Sequence, residues 1–335
     1  MLFAKAYAAG DNYRSKWQES DRGIIYKTQS GNRRIIGSFI MKVKKNKYGY
    51  YERIDMPSTE KLNEMFTEEY YQGNAGITSY NHEYIEQEFR SFVRNAAKKE
   101  LIIKKFLKTD RQRSLLDIGC GEGYVLDYFY KKGWNITGMD LSDYGLLKHN
   151  PHIRNFLLHG DCNEGLENLI NQGVKYDVVN CDLYIECCIN PIKTLNNMKS
   201  VMTPNSGIAI IRVANCMSPL HKQLLKQGIL HEETWFNRVG NLAYFNQESL
   251  KNILEILGYE CIEWYGDSFI DFNLMNPLTD YYKIENIGKV CYKAMLDIED
   301  IMEDISLEKM VEIEKTMGDM GLGRHITCIC KVRRE

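Results

Sequence analysis

The stretch SLLDIGCGEG, residues 114–123, decides the fold of this chain. Residues 115–118 have the pattern of a short buried strand, and three glycines in the next five positions predict a tight turn. Residues 124–131 follow with the pattern of a helix. The succession of strand, glycine loop and helix brings bare backbone, and the first N–H groups of a helix, close to a bound ligand.

The spacing of the glycines and two nearby acids indicate the kind of ligand. Gly119, Gly121 and Gly123 are spaced G-x-G-x-G, whereas the dinucleotide fingerprint is G-x-G-x-x-G. Asp117 lies two residues before the first glycine, where a carboxylate repels phosphate and favours a cationic amine. Asp140 ends the next predicted strand, and a carboxylate there can accept hydrogen bonds from both hydroxyls of a ribose. These acids predict a ligand with a ribose and a positive end, and they disfavour a nicotinamide dehydrogenase.

The pattern D-x-G-x-G-x-G, followed by Asp140, resembles the first two motifs of class I S-adenosylmethionine-dependent methyltransferases. The regular alternation of strands and helices after residue 113 itself predicts an α/β fold, with a mostly parallel sheet and helices on both faces. The resemblance implies a Rossmann-like sheet of seven strands in the order 3-2-1-4-5-7-6, with one antiparallel strand. The strands are expected at 114–118, 135–139, 155–159, 176–181, 207–213, 259–265 and 325–332.

The resemblance also implies how S-adenosylmethionine is held, at the carboxyl ends of the strands. Asp117 is assigned to the methionine amine, the backbone of Gly119 and Gly121 to the carboxylate side, and Asp140 to the ribose. Asp161 ends the third strand and is assigned to the adenine amino group, the alternative being a solvated turn aspartate.

Other residues are expected beside the cofactor on the same grounds. Tyr71 and Tyr80 precede the sheet and can face a sulfonium, although ordinary packing explains them equally well. The complete set of expected cofactor contacts is Asp117, Gly119, Cys120, Gly121, Asp140, Leu141, Asp161, Cys162, Asp182, Leu183, Tyr71 and Tyr80.

The acceptor side is less well determined by the sequence. Arg212 and Asn215 lie at the end of the fifth strand, where Arg212 can bind a carboxylate or phosphate or can belong to a structural ion pair. Candidate general bases are His231, His221 and Tyr244, and none of them stands out.

Two departures from the family pattern bear on catalysis. The segment LYIECCINP is similar to the family's E-H-x-x-x-P, with Glu186 and Pro191 matching and Cys187 in the histidine position. The segment NLAYFNQESL is similar to the H-L-x-Y-F segment of small-molecule methyltransferases, with Asn241 in the histidine position. A cofactor-binding protein without catalysis therefore remains an alternative.

The acceptor class is predicted from further stretches of the sequence. Residues 182–184 lack the prolines that the amino-directed nucleic-acid branch carries at this place, which counts against methylation of base amino groups. The stretches FNLMNPLTDYY (272–282), GKVC (288–291) and GLGRHI (321–326) are similar to those of methyltransferases from bacterial surface-polysaccharide and sugar-nucleotide pathways. The prediction is a small-molecule acceptor, a sugar, sugar nucleotide or related metabolite, with an RNA methyltransferase as the alternative.

Residues 1–57 are predicted as a small β-rich piece, with strand-like stretches at 23–27, 34–43 and 50–54. The piece holds twelve Lys and Arg against five Asp and Glu, which suits nucleic acid, an anionic substrate or a solvated face. The stretch YERIDMPSTEKL, residues 51–62, resembles the C-terminal end of the zinc ribbon that precedes the catalytic domain of several sugar-modifying methyltransferases. No cysteine precedes Cys120, so such a ribbon would have lost its metal.

The rest of the chain is predicted to form two parts. Residues 58–113 are expected as a helical lid over the cofactor, with helices at 58–71 and 82–107. Residues 114–335 are expected as the methyltransferase domain, with a helical insertion at 271–323 that roofs the acceptor pocket.

Composition agrees with a globular protein. The 335 residues are 44% hydrophobic, ample for a core, and carry a net charge of −2. No run of about 18 apolar residues occurs, so no membrane span is expected. The ten cysteines lack paired spacing, which is typical of reduced thiols in a cytosolic protein, and no metal is expected.

Overall fold

The central feature of the computed structural model is a sheet of seven strands. The structure describes residues 42–70, 83–107, 111–230, 234–237 and 240–333. The strands of the chain are β1 (Val43–Lys45), β2 (Tyr51–Arg53), β3 (Ser114–Ile118), β4 (Asn135–Asp140), β5 (Leu157–His159), β6 (Val178–Asp182), β7 (Ile208–Ala214), β8 (Ala243–Tyr244), β9 (Tyr259–Asp267) and β10 (His325–Val332).

The large sheet has the order β5-β4-β3-β6-β7-β10-β9. Counted along the seven strands, this is 3-2-1-4-5-7-6, and β10 is antiparallel to both of its neighbours. The predicted fold class is therefore confirmed. A second, three-stranded antiparallel sheet joins β1 and β2 to β8.

Helices cover the sheet. They are α1 (Thr59–Glu64), α2 (Glu86–Phe106), α3 (Tyr124–Lys131), α4 (Tyr144–His149), α5 (Cys162–Asn171), α6 (Pro191–Val201), α7 (Pro219–Lys226), α8 (Gln247–Ile256) and α9 (Ile287–Asp319). A π-helical turn, Met65–Tyr70, extends α1, and a 3₁₀ turn, Phe269–Met275, follows β9. None of the helices within the described ranges is long and apolar enough to cross a membrane.

The parallel strands form where the sequence is apolar on both faces. Every residue of β7 is buried, as expected for a central strand covered by helices on both sides. In β3, Leu116 and Ile118 join one apolar cluster and Leu115 joins another, so the strand contributes to two separate cores. This burial fixes the register and carries the strand ends to one edge of the sheet.

Helices α2 and α9 pack against each other, and α9 also packs against β9. Their contact contains buried ion pairs: Arg94 binds Glu299 at 2.9 Å, and Lys98 binds Glu314 at 2.5 Å. Within α9, Ser306 has extended backbone angles (φ −170°, ψ 118°), which divides the long helix at a kink. The predicted helical segment before the last strand is thus present.

Several bounds differ from those predicted. The helix expected from residue 82 is described from Glu86, and the third strand begins at Leu157 because Pro151–Phe156 forms a 3₁₀ turn. The strand-like stretch at 23–27, most of 34–43, and both Tyr71 and Tyr80 lie outside the described residues.

Candidate active site

The glycine loop after β3 is held by backbone contacts. Gly119, Gly121 and Gly123 have φ values of 70°, 55° and 78°, the left-handed region that favours glycine. A Cβ atom on Gly119 would lie 2.5 Å from Cδ2 of Tyr184, so only glycine fits beneath that ring. The Gly119 and Cys120 N–H groups both donate to the carbonyl of Met139, at 2.8 and 3.0 Å. The loop is thereby tied to β4.

Asp117 is the buried acid beside this loop. Its side chain is 3% exposed, and Oδ1 accepts a hydrogen bond of 2.6 Å from Asn180 Nδ2. Burial raises the pKa of Asp117 to about 7, with Asn180 and Lys99 opposing the rise. A cation placed beside this carboxyl would favour its ionised form.

Asp140 lies at the end of β4, next to the loop. Oδ2 accepts the Gly121 N–H at 2.8 Å, and Oδ1 accepts the Ser142 N–H at 3.0 Å. Burial raises the pKa of this carboxyl, while these backbone hydrogen bonds act to lower it. Each oxygen retains a lone pair for a ribose hydroxyl. The Gly121 N–H donates to Asp140, and the other polar backbone atom of Gly121 is a carbonyl oxygen, which cannot donate a hydrogen bond to a carboxylate.

Asp161 and Cys162 follow β5. Asp161 caps helix α5 by accepting the N–H groups of Asn163 and Glu164, at 2.8 and 3.0 Å. This cap was missed in the sequence, although aspartate before a helix is a known signal. Cys162 is buried, which raises the pKa of its thiol, and it shares a hydrogen bond with the Tyr184 hydroxyl. Tyr184 therefore spans from Cys162 to Gly119.

The ends of β6, β7 and β9 meet in a network of charges around Arg212. Its guanidinium binds Asp182 at 2.8 Å and Asp267 at 2.8 and 3.0 Å. Lys99, from α2, binds the other oxygen of Asp182 at 3.1 Å. Although burial acts to raise it, Arg212 and Lys99 hold the pKa of Asp182 well below its usual range. His325 completes the group, 2.9 Å from Arg212.

The contacts of Arg212 match one of its two interpretations, the structural ion pair. All three of its nitrogen atoms contact a carboxylate or His325, and the side chain is 6% exposed. The structural ion pair is therefore the arrangement that is present. The partners Lys99, Asp267 and His325 carried no signal in the sequence, because each lies far from Arg212 along the chain.

The other acceptor-side candidates lie beyond β7. Asn215 donates from Nδ2 to the carbonyls of Gly321 and Gly323, at 2.8 and 3.0 Å. Tyr244 is fully buried, and its hydroxyl donates to the Asn241 carbonyl at 3.4 Å. His231 lies outside the described residues.

His221 has a specific partner. Its Nε2 lies 2.9 Å from Oδ2 of Asp271, and its ring stacks on Trp235 at 5.2 Å between centroids. Asp271 also accepts hydrogen bonds from the Tyr281 hydroxyl and from Arg324. Although burial acts to raise it, Arg324 and His221 hold the pKa of Asp271 well below its usual range. His221 thus faces a carboxylate that stays ionised.

The remaining predicted contacts are also located. Leu183 follows β6 with φ 55°, an uncommon conformation for a branched residue, and its side chain is buried. The Leu141 carbonyl lies 3.0 Å from His159 Nε2. The Glu186 carboxylate accepts the Ala214 N–H at 3.0 Å, so this family-matching residue supports the end of β7. No cluster able to hold a metal ion occurs among the residues described.

Curated relatives of the chain are methyltransferases. The ubiquinone biosynthesis O-methyltransferase of Actinobacillus pleuropneumoniae is 24% identical over 200 residues, covering 55% of this chain and 79% of the relative. The tRNA U34 carboxymethyltransferase of Campylobacter jejuni is 29% identical over 217 residues, covering 61% of this chain and 67% of the relative.

Solved structures similar to the chain carry related titles. The plantazolicin methyltransferase BpumL in complex with SAH is 17% identical with a TM-score of 0.47, covering 82% of this chain and 94% of that one. A SAM-dependent methyltransferase from Archaeoglobus fulgidus is 21% identical with a TM-score of 0.46, covering 73% and 97%.

The family assignment rests on a direct match. The sequence profile described as "Methyltransferase domain" matches residues 84–263, more than half of the chain. The matched region includes the glycine loop, Asp117 and Asp140, and it begins just before α2. The chain therefore belongs to the methyltransferase-domain family and is a class I S-adenosylmethionine-dependent methyltransferase.

Proposed function

We propose that this enzyme transfers a methyl group from S-adenosylmethionine to a small-molecule acceptor, namely a sugar, a sugar nucleotide or a related metabolite. The observation that carries the proposal is the packing of helices over the ends of strands β7 and β9. Helices α2 and α9 and the 3₁₀ turn Phe269–Met275 pack together there. An edge enclosed in this way suits a compact acceptor better than a nucleic-acid duplex.

The enclosure is formed by polar as well as apolar groups. A small cavity lies between the two helices and the ends of β7, β9 and β10. Its lining residues are Ser91, Asn95, Lys98, Arg212, Asp267, Ser268, Met295, Glu299 and His325. Four ion pairs cross this region. Two of them join α2 to α9, one joins α2 to the end of β6, and one joins β6 to β7.

The residues at the strand ends fit S-adenosylmethionine. When bound, the cofactor supplies an electrophilic methyl group on a sulfonium. Asp117 would hold the methionine amine, Asp140 the ribose, and Asp161 with Cys162 the adenine. The chain's own contribution is to fix these groups in one geometry, and orientation alone can provide effective molarities on the order of 10⁵ M or more.

The names of the relatives support two acceptor classes. O-methyltransferases of ubiquinone biosynthesis support a small molecule that offers a hydroxyl group. The tRNA-modifying relative supports RNA as the second candidate, and the basic composition of residues 1–57 is the feature of this chain that favours it. An RNA substrate would be bound with a steep dependence on salt concentration.

The test is a comparison of acceptors. Purified enzyme is incubated with S-adenosylmethionine and, separately, with sugars, nucleotide sugars, phenols and bulk tRNA, and S-adenosylhomocysteine is measured. The proposal predicts turnover with a small hydroxylated acceptor and little change in rate when salt rises from 50 to 200 mM. Turnover with tRNA alone, lost at the higher salt concentration, would instead establish the RNA function.

A further inference from the structure

We propose that Asn215, Trp235 and Asn241, which follow β7, recognise the hydroxyl groups of the acceptor, and that His221 takes the proton from the hydroxyl that is methylated. The inference rests on the proposed function and specifies which groups of the acceptor are recognised. It also names a catalytic residue, which the family pattern leaves open because Cys187 and Asn241 stand where histidines are usual.

The first observation is a group of buried polar atoms without partners. Asn215 Oδ1, His221 Nδ1, Trp235 Nε1 and Asn241 Nδ2 have no hydrogen-bond partner among the described residues. Their side chains belong to residues that are at most 4% exposed. A buried polar group left unpaired destabilises a fold, so a cluster of them marks a place where a ligand or ordered water completes the hydrogen bonds.

The second observation is that these groups are neighbours. The His221 ring stacks on Trp235, and Trp235 shares an apolar cluster with Ala214, Cys216 and Tyr244. Asn215 lies between two members of this cluster, and the Asn241 carbonyl accepts the Tyr244 hydroxyl. The four atoms thus belong to one region of the molecule.

The third observation is the position of this region relative to the cofactor loop. Asn215 directly follows β7, and Asn241 contacts the Sγ of Cys187, which in turn contacts the carbonyl of Leu183 after β6. Leu183 and Met217, just beyond β6 and β7, have positive φ values of 55° and 53°. Ligands of doubly wound folds bind beyond the carboxyl ends of the strands, and backbone strain concentrates at such sites.

The hydrogen-bonding character of the atoms defines the acceptor. Trp235 Nε1 and Asn241 Nδ2 are donors, and Asn215 Oδ1 is an acceptor. None of these atoms carries a formal charge, so they require no charged group on the ligand. A hydroxyl both donates and accepts, and several hydroxyls on one small molecule match this mixture.

The hydrogen bond between His221 and Asp271 leaves Nδ1 of His221 as the atom that can accept a proton. A carboxylate only accepts hydrogen bonds, so the Nε2 atom that faces Asp271 carries the proton in the neutral imidazole. The other nitrogen, Nδ1, then has a free lone pair. Asp271 stays ionised and stabilises the imidazolium that forms when Nδ1 takes up a proton.

The proposed step balances in atoms and charge. The acceptor oxygen forms a bond to the methyl carbon as the carbon–sulfur bond breaks, and that electron pair remains on sulfur. The hydroxyl proton passes to Nδ1 of His221. The products are a methyl ether, a neutral thioether and an imidazolium paired with Asp271, which later returns its proton to solvent.

The test uses the full chain and the best acceptor found for the wild-type enzyme. His221→Ala is compared with His152→Ala, which removes an exposed histidine paired with Asp127. We expect His221→Ala to lower kcat about 100-fold or more, with the Kd for S-adenosylmethionine unchanged, and added imidazole to restore part of the lost rate. His152→Ala should retain wild-type kcat.

The contrary outcomes distinguish a failure of His221 as the base from a failure of the proposed function. A loss of less than tenfold in kcat for His221→Ala, or a loss that imidazole leaves unchanged, overturns His221 as the base while the proposed function stands. If His221→Ala does not fold, His221→Gln replaces it, and a loss of less than tenfold in kcat, with the Kd for S-adenosylmethionine unchanged, overturns His221 as the base. Wild-type enzyme that binds S-adenosylmethionine but methylates no hydroxylated small molecule overturns both the proposed function and this inference.

Discussion

The pH dependence of cofactor binding is the prediction that follows most directly from Asp117. Its pKa of about 7 describes the structure without ligand, in which burial is the dominant cause. A bound ammonium group would stabilise the carboxylate and lower this pKa. Binding therefore requires the deprotonated acid, and affinity falls as the pH falls through 7.

The expected size of the effect follows from this pKa. At pH 6.0 about nine in ten molecules carry a protonated Asp117, and at pH 7.5 about one in four. Because binding requires the deprotonated acid, the affinity for S-adenosylmethionine falls roughly eightfold when the pH is lowered from 7.5 to 6.0. The window lies below the pKa of an α-amino group, about 7.7–8.0, so the ligand stays largely protonated.

Isothermal titration calorimetry with S-adenosylmethionine measures the effect, in buffers of different ionisation enthalpy to count the protons released. In Asp117→Asn the affinity at pH 7.5 should fall and the dependence on pH should shrink. Burial also raises the pKa of Asp140, so the difference between wild type and Asp117→Asn is the informative quantity. Asp297→Asn, on the exposed side of α9, is the matched control.

An unchanged pH dependence in Asp117→Asn would refute the reasoning, because the proton would then belong to another group. An affinity that rises as the pH falls in wild type would refute it as well, since that sign indicates a group that gains a proton on binding.

Two further predictions concern the cofactor site and the charge network. Asp140→Ala should weaken S-adenosylmethionine binding by about 1–3 kcal/mol in calorimetry, because a charged hydrogen-bond partner is removed. Asp143→Ala should leave the affinity unchanged. Equal affinities for the two variants would contradict the assignment of Asp140 to the ribose. Arg212→Met should lower the free energy of unfolding by about 3–5 kcal/mol in urea denaturation, because two carboxylates lose their buried partner. Arg154→Met, at an exposed ion pair, should change it by less than about 0.5 kcal/mol, and a similar small change for Arg212→Met would show that the network adds little stability.

The sheet could be predicted from sequence because its signals are local. β3 and β7 are apolar on both faces, so their positions follow from short runs of residues, and the glycine loop after β3 fixes the direction of the chain. The places of Asp117 and Asp140 then follow, since the carboxyl ends of parallel strands lie at one edge. The strand order came from the family resemblance rather than from the residues alone.

The acceptor side could not be predicted because its contacts join distant residues. Lys99 meets Asp182, and His221 meets Asp271, across 83 and 50 positions of sequence. No local pattern pairs such residues: α2 places Lys99 at the end of β6, and the 3₁₀ turn Phe269–Met275 places Asp271 against α7. His221 was therefore indistinguishable from the other candidate bases until Asp271 was found beside it.

The most direct test of the central claim is thermal unfolding with S-adenosylmethionine, S-adenosylhomocysteine and NADH. A ligand at 100 times its Kd adds about 2.7 kcal/mol to the free energy of unfolding, enough to shift the midpoint measurably. A higher midpoint is predicted with both adenosyl ligands and an unchanged one with NADH. A shift with NADH, or no shift with either adenosyl ligand at millimolar concentration, would contradict the assignment of this chain as an S-adenosylmethionine-dependent methyltransferase.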